Sequence, residues 1–259
     1  MMATAKEQGE LWGARARDWA RCGEPAWRDV FTAVLDQAGI GQGTCHLDIG
    51  CGAGGTLVLA QERGAVVSGF DAAENLAAIA RERLGSVDIR VGDMQALPFA
   101  DESFDAVTGI NVFQFADDPA KAFAEARRVA RAGGAVTMLV WGQRDKCELM
   151  SEVMPAVWAL DPPKPPPARP PLAETAEGFM RAAGLDLEVC GDLIATLIYA
   201  DRDAAANAIL AASESTVRHA GEAKVRGALN AALAPFAGAD DGRVRLRNMF
   251  RLVTGRRPA

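Results

Sequence analysis

From residue 45 to residue 141, short apolar runs alternate with stretches in which apolar residues recur every three or four positions. Such runs fit strands covered on both faces, and the helical spacing between them gives each crossover one apolar side to lay on a sheet. The alternation predicts a parallel sheet wound with helices on both faces. Strand one is expected at about residues 44–49, followed by a glycine-rich turn and a helix that stops at Gly64, then strand two at 65–70. Leu76, Ile79, Ala80 and Leu84 mark one face of the next helix, which ends at Gly85 before strand three at 87–91. Residues 104–110 read as strand four, Phe123, Ala126 and Ala130 as a helix face, and 135–141 as strand five. Two more strands are expected at 187–199 and 243–253, with an alanine-rich helical stretch near 203–234 between them.

Residues 1–40 carry Trp12, Trp19 and Trp27, with Leu11 and Ala16 spaced to share a helix face, and predict helices packed over the sheet. Residues 161–171 are mostly proline, which cannot continue a helix or donate to a ladder, so an extended polyproline II connector is expected rather than a docking motif. One domain over 1–259 accommodates all of this. It divides into capping helices at 1–40, a core at 41–142, an insertion with the proline-rich loop at 143–185, and C-terminal strands and helix at 186–259.

A chain of 259 residues can bury a full core, and its net charge of −6 argues against a surface built to neutralise phosphates. No nucleic-acid partner is expected. Cys22, Cys45, Cys51, Cys147 and Cys190 are odd in number and scattered, which suits free thiols in a reducing cytoplasm. There is no apolar leader and no run near the ~20 apolar residues that span a bilayer, so a cytoplasmic protein without a membrane partner is expected. Two histidines and no C-x-x-C pair give no basis for a metal site. Arg243, Arg245 and Arg247 alternate along a strand, and a solvated or acid-paired face explains them.

The chemistry concentrates in Leu47-Asp48-Ile49-Gly50-Cys51-Gly52-Ala53-Gly54-Gly55. Gly50, Gly52 and Gly55 have the G-x-G-x-x-G spacing, and Asp71 follows about 20 residues later at the end of strand two, as a ribose-binding acid would. Those features alone also fit an NAD-dependent dehydrogenase. Asp48 discriminates, because a carboxylate beside a pyrophosphate is unfavourable, whereas one beside a cofactor bearing an ammonium and a sulfonium is not.

With Gly92-Asp93-Met94-Gln95-Ala96-Leu97-Pro98-Phe99 and Ser103-Phe104-Asp105-Ala106-Val107 added, the chain resembles the class I S-adenosylmethionine-dependent methyltransferases, in the small-molecule branch of the ubiquinone and menaquinone methylases. The resemblance implies a doubly wound, mostly parallel seven-stranded α/β sheet, Rossmann-like, with N-terminal helices over the cofactor cleft and a C-terminal antiparallel hairpin. It implies S-adenosylmethionine as cofactor, held through Asp48, Gly50, Cys51, Gly52 and Gly54 at the methionine end, Asp71 and Ala72 at the ribose, Asp93, Met94 and Gln95 at the adenine, and Asn111 through its main-chain oxygen. The Cys51 thiol itself reads as packing.

Trp12, Phe113, Gln114, Phe115 and Trp158 are candidates for a substrate wall, drawn from the N-terminal helices, the loop after strand four and residues 141–179. The small-molecule methyl acceptor is expected to be apolar or aromatic. No base is assigned; Gln114, where related enzymes often carry histidine, and His219 are the candidates, and Gln114 cannot take a proton at neutral pH. Asp161-Pro162-Pro163 looks like an amine-holding element but follows strand five rather than strand four. A non-catalytic cofactor-binding partner subunit and a related enzyme using the same cofactor for another reaction stand as alternatives.

Overall fold

A computed structural model of the chain describes residues 3–161 and 171–259, so most of the proline-rich segment lies outside the described residues. The N-terminal helices α1 (Ala3–Gly13) and α2 (Ala16–Asp18) lead through a π-turn at Trp19–Gly23 and a 3-10 turn at Glu24–Trp27 into α3 (Arg28–Gln37). The core follows as β1 (Cys45–Ile49), α4 (Gly55–Glu62), β2 (Val66–Asp71), α5 (Glu74–Leu84), β3 (Asp88–Val91), β4 (Phe104–Ile110), α6 (Pro119–Val129) and β5 (Ala130–Trp141). Beyond it come α7 (Met154–Trp158), α8 (Leu172–Ala182), β6 (Asp186–Tyr199), α9 (Arg202–Ala212), α10 (Glu214–Ala220), α11 (Glu222–Leu233) and β7 (Val244–Arg256).

The seven strands form one sheet in the order β3-β2-β1-β4-β5-β7-β6. The first five pair in parallel, and β7 runs antiparallel to both of its neighbours, β5 and β6. The antiparallel β6–β7 pair is therefore present, but three helices separate the two strands in sequence, where a hairpin would have a tight turn. Strand order reverses between β1 and β4, and the crevice beyond the carboxyl ends of strands at such a reversal is where α/β sheets take ligands.

Burial explains the strand sequences. Leu47 and Ile49 of the central strand pack with Phe123, Val136 and Met138 on one face, under α6 and α8. The other face packs Ala106 and Val67 with Val34, Leu57 and Ala60, under α3 and α4. Leu76, Ile79, Ala80 and Leu84 are all buried, as their spacing requires. Ala130 departs from the expected helix face: α6 ends at Val129, and Ala130 is already extended, paired with Phe104 across β4. Leu11 and Ala16 likewise fall on separate helices, because α1 stops at Gly13, whose carbonyl accepts a bond from Asn75 Nδ2 at 2.9 Å. Arg245 and Arg247 lie on the exposed side of β7, with Arg245 paired to Asp241 at 2.6 Å. Among the described residues, no helix is long and apolar enough to cross a membrane.

Candidate functional site

The turn from Gly50 to Gly54 joins β1 to α4 at the reversal point. Gly50 takes φ +73°, and a side chain there would collide with Val112 on the opposite wall. The amides of Gly50 and Cys51 donate to the Phe70 carbonyl at 2.7 and 3.1 Å, and the Gly52 amide donates to Asp71 Oδ2 at 2.8 Å. The turn is thus stitched to the end of β2. Asp71 also accepts from the Ala73 amide at 2.8 Å through Oδ1, which fixes the carboxylate plane at the edge of a cleft. Burial raises its pKa, opposed by the amides of Ala73, Gly52 and Ala72.

Gly50, Cys51, Gly52, Asp71, Ala72, Asp93, Met94, Gln95 and Asn111 all line this cleft, together with Trp12 and Phe115. Asp93 accepts from the Gln95 amide at 2.9 Å and from Gln95 Nε2 at 3.0 Å, while Gln95 Oε1 accepts from the Asp118 amide at 2.9 Å. The segment that carries Asp93 and Met94 is thereby anchored to the start of α6. Asn111 sits in the left-handed region at φ +53°, its amide bound to the Leu139 carbonyl at 2.6 Å. Asparagine tolerates that conformation better than most residues, and it turns the chain away from the end of β4.

Several expected site residues stand elsewhere. Gly54 does not line the cleft: at φ +89° it caps α4, and a side chain there would press on Leu84 and Ala80 of α5 at 3.1 and 3.2 Å. Gln114 turns inward, its Nε2 donating to both Asn111 Oδ1 at 2.7 Å and the Asn111 carbonyl at 2.9 Å, so it braces that turn rather than facing the cleft. Phe113 is core, stacked on Phe123 with centroids 4.3 Å apart. Trp158 lies on α7 under the Arg144 guanidinium, 4.6 Å from its ring centroid, and His219 is exposed on α10; neither lines the cleft. Among the described residues, the stretch from 141 to 179 supplies no lining residue, and Met150 and Met154 pack into the core beneath α11 instead. Burial pushes the Cys51 thiol well up, which suits packing and not nucleophilic chemistry.

Asp48 sits under the floor of the cleft, almost fully buried, and accepts from Thr108 Oγ1 at 2.6 Å. Burial pushes its pKa up to about 7; bonds from Thr108 and Thr56 oppose that shift, and the nearby charges of Asp71 and Glu24 add to it.

Glu24 has no motif around it in the sequence. Its carboxylate reaches from the 3-10 turn into the same region, where Oε1 accepts the Ala53 amide at 2.8 Å and the Gly55 amide at 3.3 Å, and Oε2 pairs with Arg83. Arg83 also donates to the carbonyls of Ala53 and Ala20, both at 2.9 Å, tying the N-terminal segment to the glycine turn. Burial raises the Glu24 carboxyl pKa, and Arg83 offsets part of that. Three carboxylates therefore surround one glycine turn with one guanidinium among them, an electrostatic cradle for a cation.

The roof over the cleft is aromatic. Trp12 meets Trp19 edge to face at 5.2 Å and Phe115 at 6.2 Å, and Trp27 meets Trp141 edge to face at 5.3 Å. A second cavity shares Gln8, Trp12 and Phe115 with the cleft and continues to Leu11, Ala211 and Ser215.

Residues 47–138 match the family model of a methyltransferase domain. The chain is 34% identical over 112 residues to the demethylmenaquinone methyltransferase of Renibacterium salmoninarum, covering 43% of this chain and 46% of that one. It is 33% identical over 109 residues to the malonyl-[acyl-carrier protein] O-methyltransferase of Serratia marcescens, covering 42% and 43%. The chain thus spans less than half the length of these curated relatives. Among solved structures it is similar to the [4+2]-cyclase SpnF, with a TM-score of 0.59 and 21% identity over 90% of this chain and 82% of that one. It is also similar to the phosphoethanolamine N-methyltransferase 2 of Haemonchus contortus in complex with S-adenosyl-L-methionine, with a TM-score of 0.54 and 21% identity over 89% and 53%. At such identities these two likenesses speak for the fold.

Proposed function

We propose, on the premise of the methyltransferase-domain match over residues 47–138, that the chain is a class I S-adenosylmethionine-dependent methyltransferase that transfers the cofactor's methyl group to a small apolar or aromatic acceptor. The observation that carries the reading is the pairing of the carboxylate-ringed glycine turn with an aromatic roof over one cleft. The residues present fit the cofactor. Asp71 and Asp93 offer acceptors at the two ends of a nucleoside, Ala72 and Met94 offer apolar faces for a purine, and the Asp48, Asp71 and Glu24 charges suit a ligand that carries an ammonium and a sulfonium. When bound, the cofactor supplies an electrophilic methyl.

The chain's own contribution is alignment and exclusion of water. Trp12, Trp19, Trp27 and Phe115 leave little for water to bind, and the second cavity behind Trp12 and Phe115 offers an apolar acceptor room to lie. Among the described residues lining the cleft there is no histidine, so an acceptor that ionises with the help of water, such as a phenol or an enol, is favoured over one that needs a strong protein base.

Two measurements test this. Titration calorimetry should show binding of S-adenosylhomocysteine and none of NAD; the reverse result overturns the cofactor. Labelled methyl from S-adenosylmethionine should then reach members of a panel of phenols, quinols and enols. Transfer confined to charged peptides or nucleic acids would overturn the acceptor class, and binding without any transfer would favour a partner subunit.

A further inference from the structure

β6 and β7 are antiparallel neighbours, and a pair of that kind needs no more than a short turn between its strands. Here α9, α10 and α11 stand between them, outside the segment that matches the family model. Strand pairing gives these helices no task, whereas their position does. The corner where α9 gives way to α10 forms one wall of the second cavity, through Ala211, Ala212 and Ser215. Helix α1 forms the opposite wall. Residues four apart on a helix are neighbours on its surface. Gln8 and Trp12 line both the cleft and the second cavity, while Glu7 and Leu11, one step round the helix, line the second cavity alone. One face of α1 thus sweeps from the cofactor cleft into the groove beside it. The two walls are held together: Glu214 accepts from Arg15 Nε at 2.9 Å through one oxygen and from Arg218 Nε at 3.1 Å through the other, and Arg218 Nη2 donates to the Glu10 carbonyl at 3.3 Å.

We infer that the groove between α1 and the α9–α10 corner is the channel in which the methyl acceptor lies, that Ala211 and Ala212 set its width, and that Glu7 turns away acceptors carrying a carboxylate or a phosphate. The inference rests on the reading of the adjoining cleft as an S-adenosylmethionine site. The side chains of Ala211 and Ala212 end at Cβ and leave open the space a longer residue would fill. The volume of the groove, about 260 Å³, lies at the small end of ligand sites, which run from roughly 300 to 1,000 Å³. It suits one or two fused rings and no macromolecular segment. Leu11, Trp12 and Phe115 give such rings apolar and aromatic surface, with the reacting oxygen directed past Gln8 into the cleft. Among the described residues, neither cavity is lined by lysine, arginine or histidine. The charge of Glu214 is offset by its two arginines, whereas Glu7 is exposed at the mouth and has no ion-pair partner among the described residues. An anionic acceptor would leave its hydration shell for a space that offers an acid and no cation, and nothing there repays that cost.

The test titrates two probes into the protein loaded with S-adenosylhomocysteine at pH 7: 2-naphthol, and 6-hydroxy-2-naphthoic acid, which has the same rings and an ionised carboxylate. 2-Naphthol should bind, and the acid should bind about tenfold more weakly or worse. Ala212→Leu, at an exposed position where the fold is not at stake, should weaken 2-naphthol about tenfold and change S-adenosylhomocysteine binding by less than about twofold. Glu7→Gln should strengthen the acid about threefold relative to 2-naphthol. Failure of the loaded protein to bind 2-naphthol, or 2-naphthol binding unmoved by Ala212→Leu, overturns the channel. Equal binding of the two probes overturns the charge selection, and an unchanged ratio in Glu7→Gln overturns the role of that residue. A wild-type protein that does not bind S-adenosylhomocysteine overturns the cofactor reading itself, an outcome distinct from the others.

Discussion

Asp48 keeps a carboxyl group where solvation is poorest, and its linkage to stability can be worked out from the direction of its shift. In the folded chain the group holds its proton up to about pH 7, against an ordinary value of 3.8. Between those limits the folded state binds more protons than the unfolded one, so stability falls as pH rises through the window, and the full cost is present above it. Asp48→Asn should therefore raise the melting temperature of the ligand-free protein by several degrees at pH 8 and by much less near pH 4, while weakening cofactor binding. Thermal melts at the two pH values check this. His46 acts in the other direction: buried neutral, it removes stability as pH falls from its ordinary 6.5 toward about 3. At this scale the sequence was informative wherever chemistry followed fixed spacing. Asp71 and the Gly92–Gln95 segment could be placed because motif and strand end coincide. Glu24 could not, since its partners are backbone amides some 30 residues away and an arginine farther on, and nothing local marks it. Phe113, Trp158 and His219 have suitable chemistry and unsuitable positions.

Among the elements, α6 shows how secondary structure serves the cleft. Asp118 caps it, accepting from the amides of Ala120 at 3.0 Å and Lys121 at 3.4 Å, with Pro119 at the first helical position. The Asp118 amide in turn donates to Gln95, so the cap also anchors the segment that carries Asp93 and Met94. Asp118→Ala should cost about 1 kcal/mol, a fall of about 2–4 °C in Tm. A fall below the noise of a thermal melt would remove the cap from the stability of the fold. Periodicity located α5 and α6 because each has one apolar face and a glycine or proline at a boundary, and the five parallel strands because their short apolar runs are covered on both faces. It misjudged the break at Gly13 and the end of α6 at Val129, because both are set by tertiary partners: Asn75 in the first case, and the β4 strand waiting for Ala130 in the second.

For the whole molecule, the order of the strands could not be read from apolar runs, since the pattern says nothing about which crossover passes over which face; the resemblance supplied it. The family-matched segment, 47–138, contributes the glycine turn, Asp71 and Asp93 to the cleft, whereas the roof comes from the first 31 residues and the loop after β4. That roof is fastened to the C-terminal helices: Arg15 pairs with Glu214 at 2.9 Å and Glu222 at 2.8 Å, and Arg218 donates to the Glu10 carbonyl. On the proposed function, residues distant in the chain would decide what lies against the cofactor, and the segment between them would decide which cofactor is taken.

The aromatic roof also makes the protein its own optical probe. Of the five tryptophans, Trp12, Trp19 and Trp27 line the cleft and Trp141 abuts Trp27, so four of the five indoles lie in the cleft or within one ring contact of it. The edge-to-face pairs, at 5.2 and 5.3 Å, couple these chromophores closely enough for near-ultraviolet circular dichroism to register their mutual orientation. Adding S-adenosylhomocysteine should change both signals without any label, and Trp158→Phe should leave that change intact; a response lost with Trp158 would put the ligand on the far side of α7 and not beneath the roof.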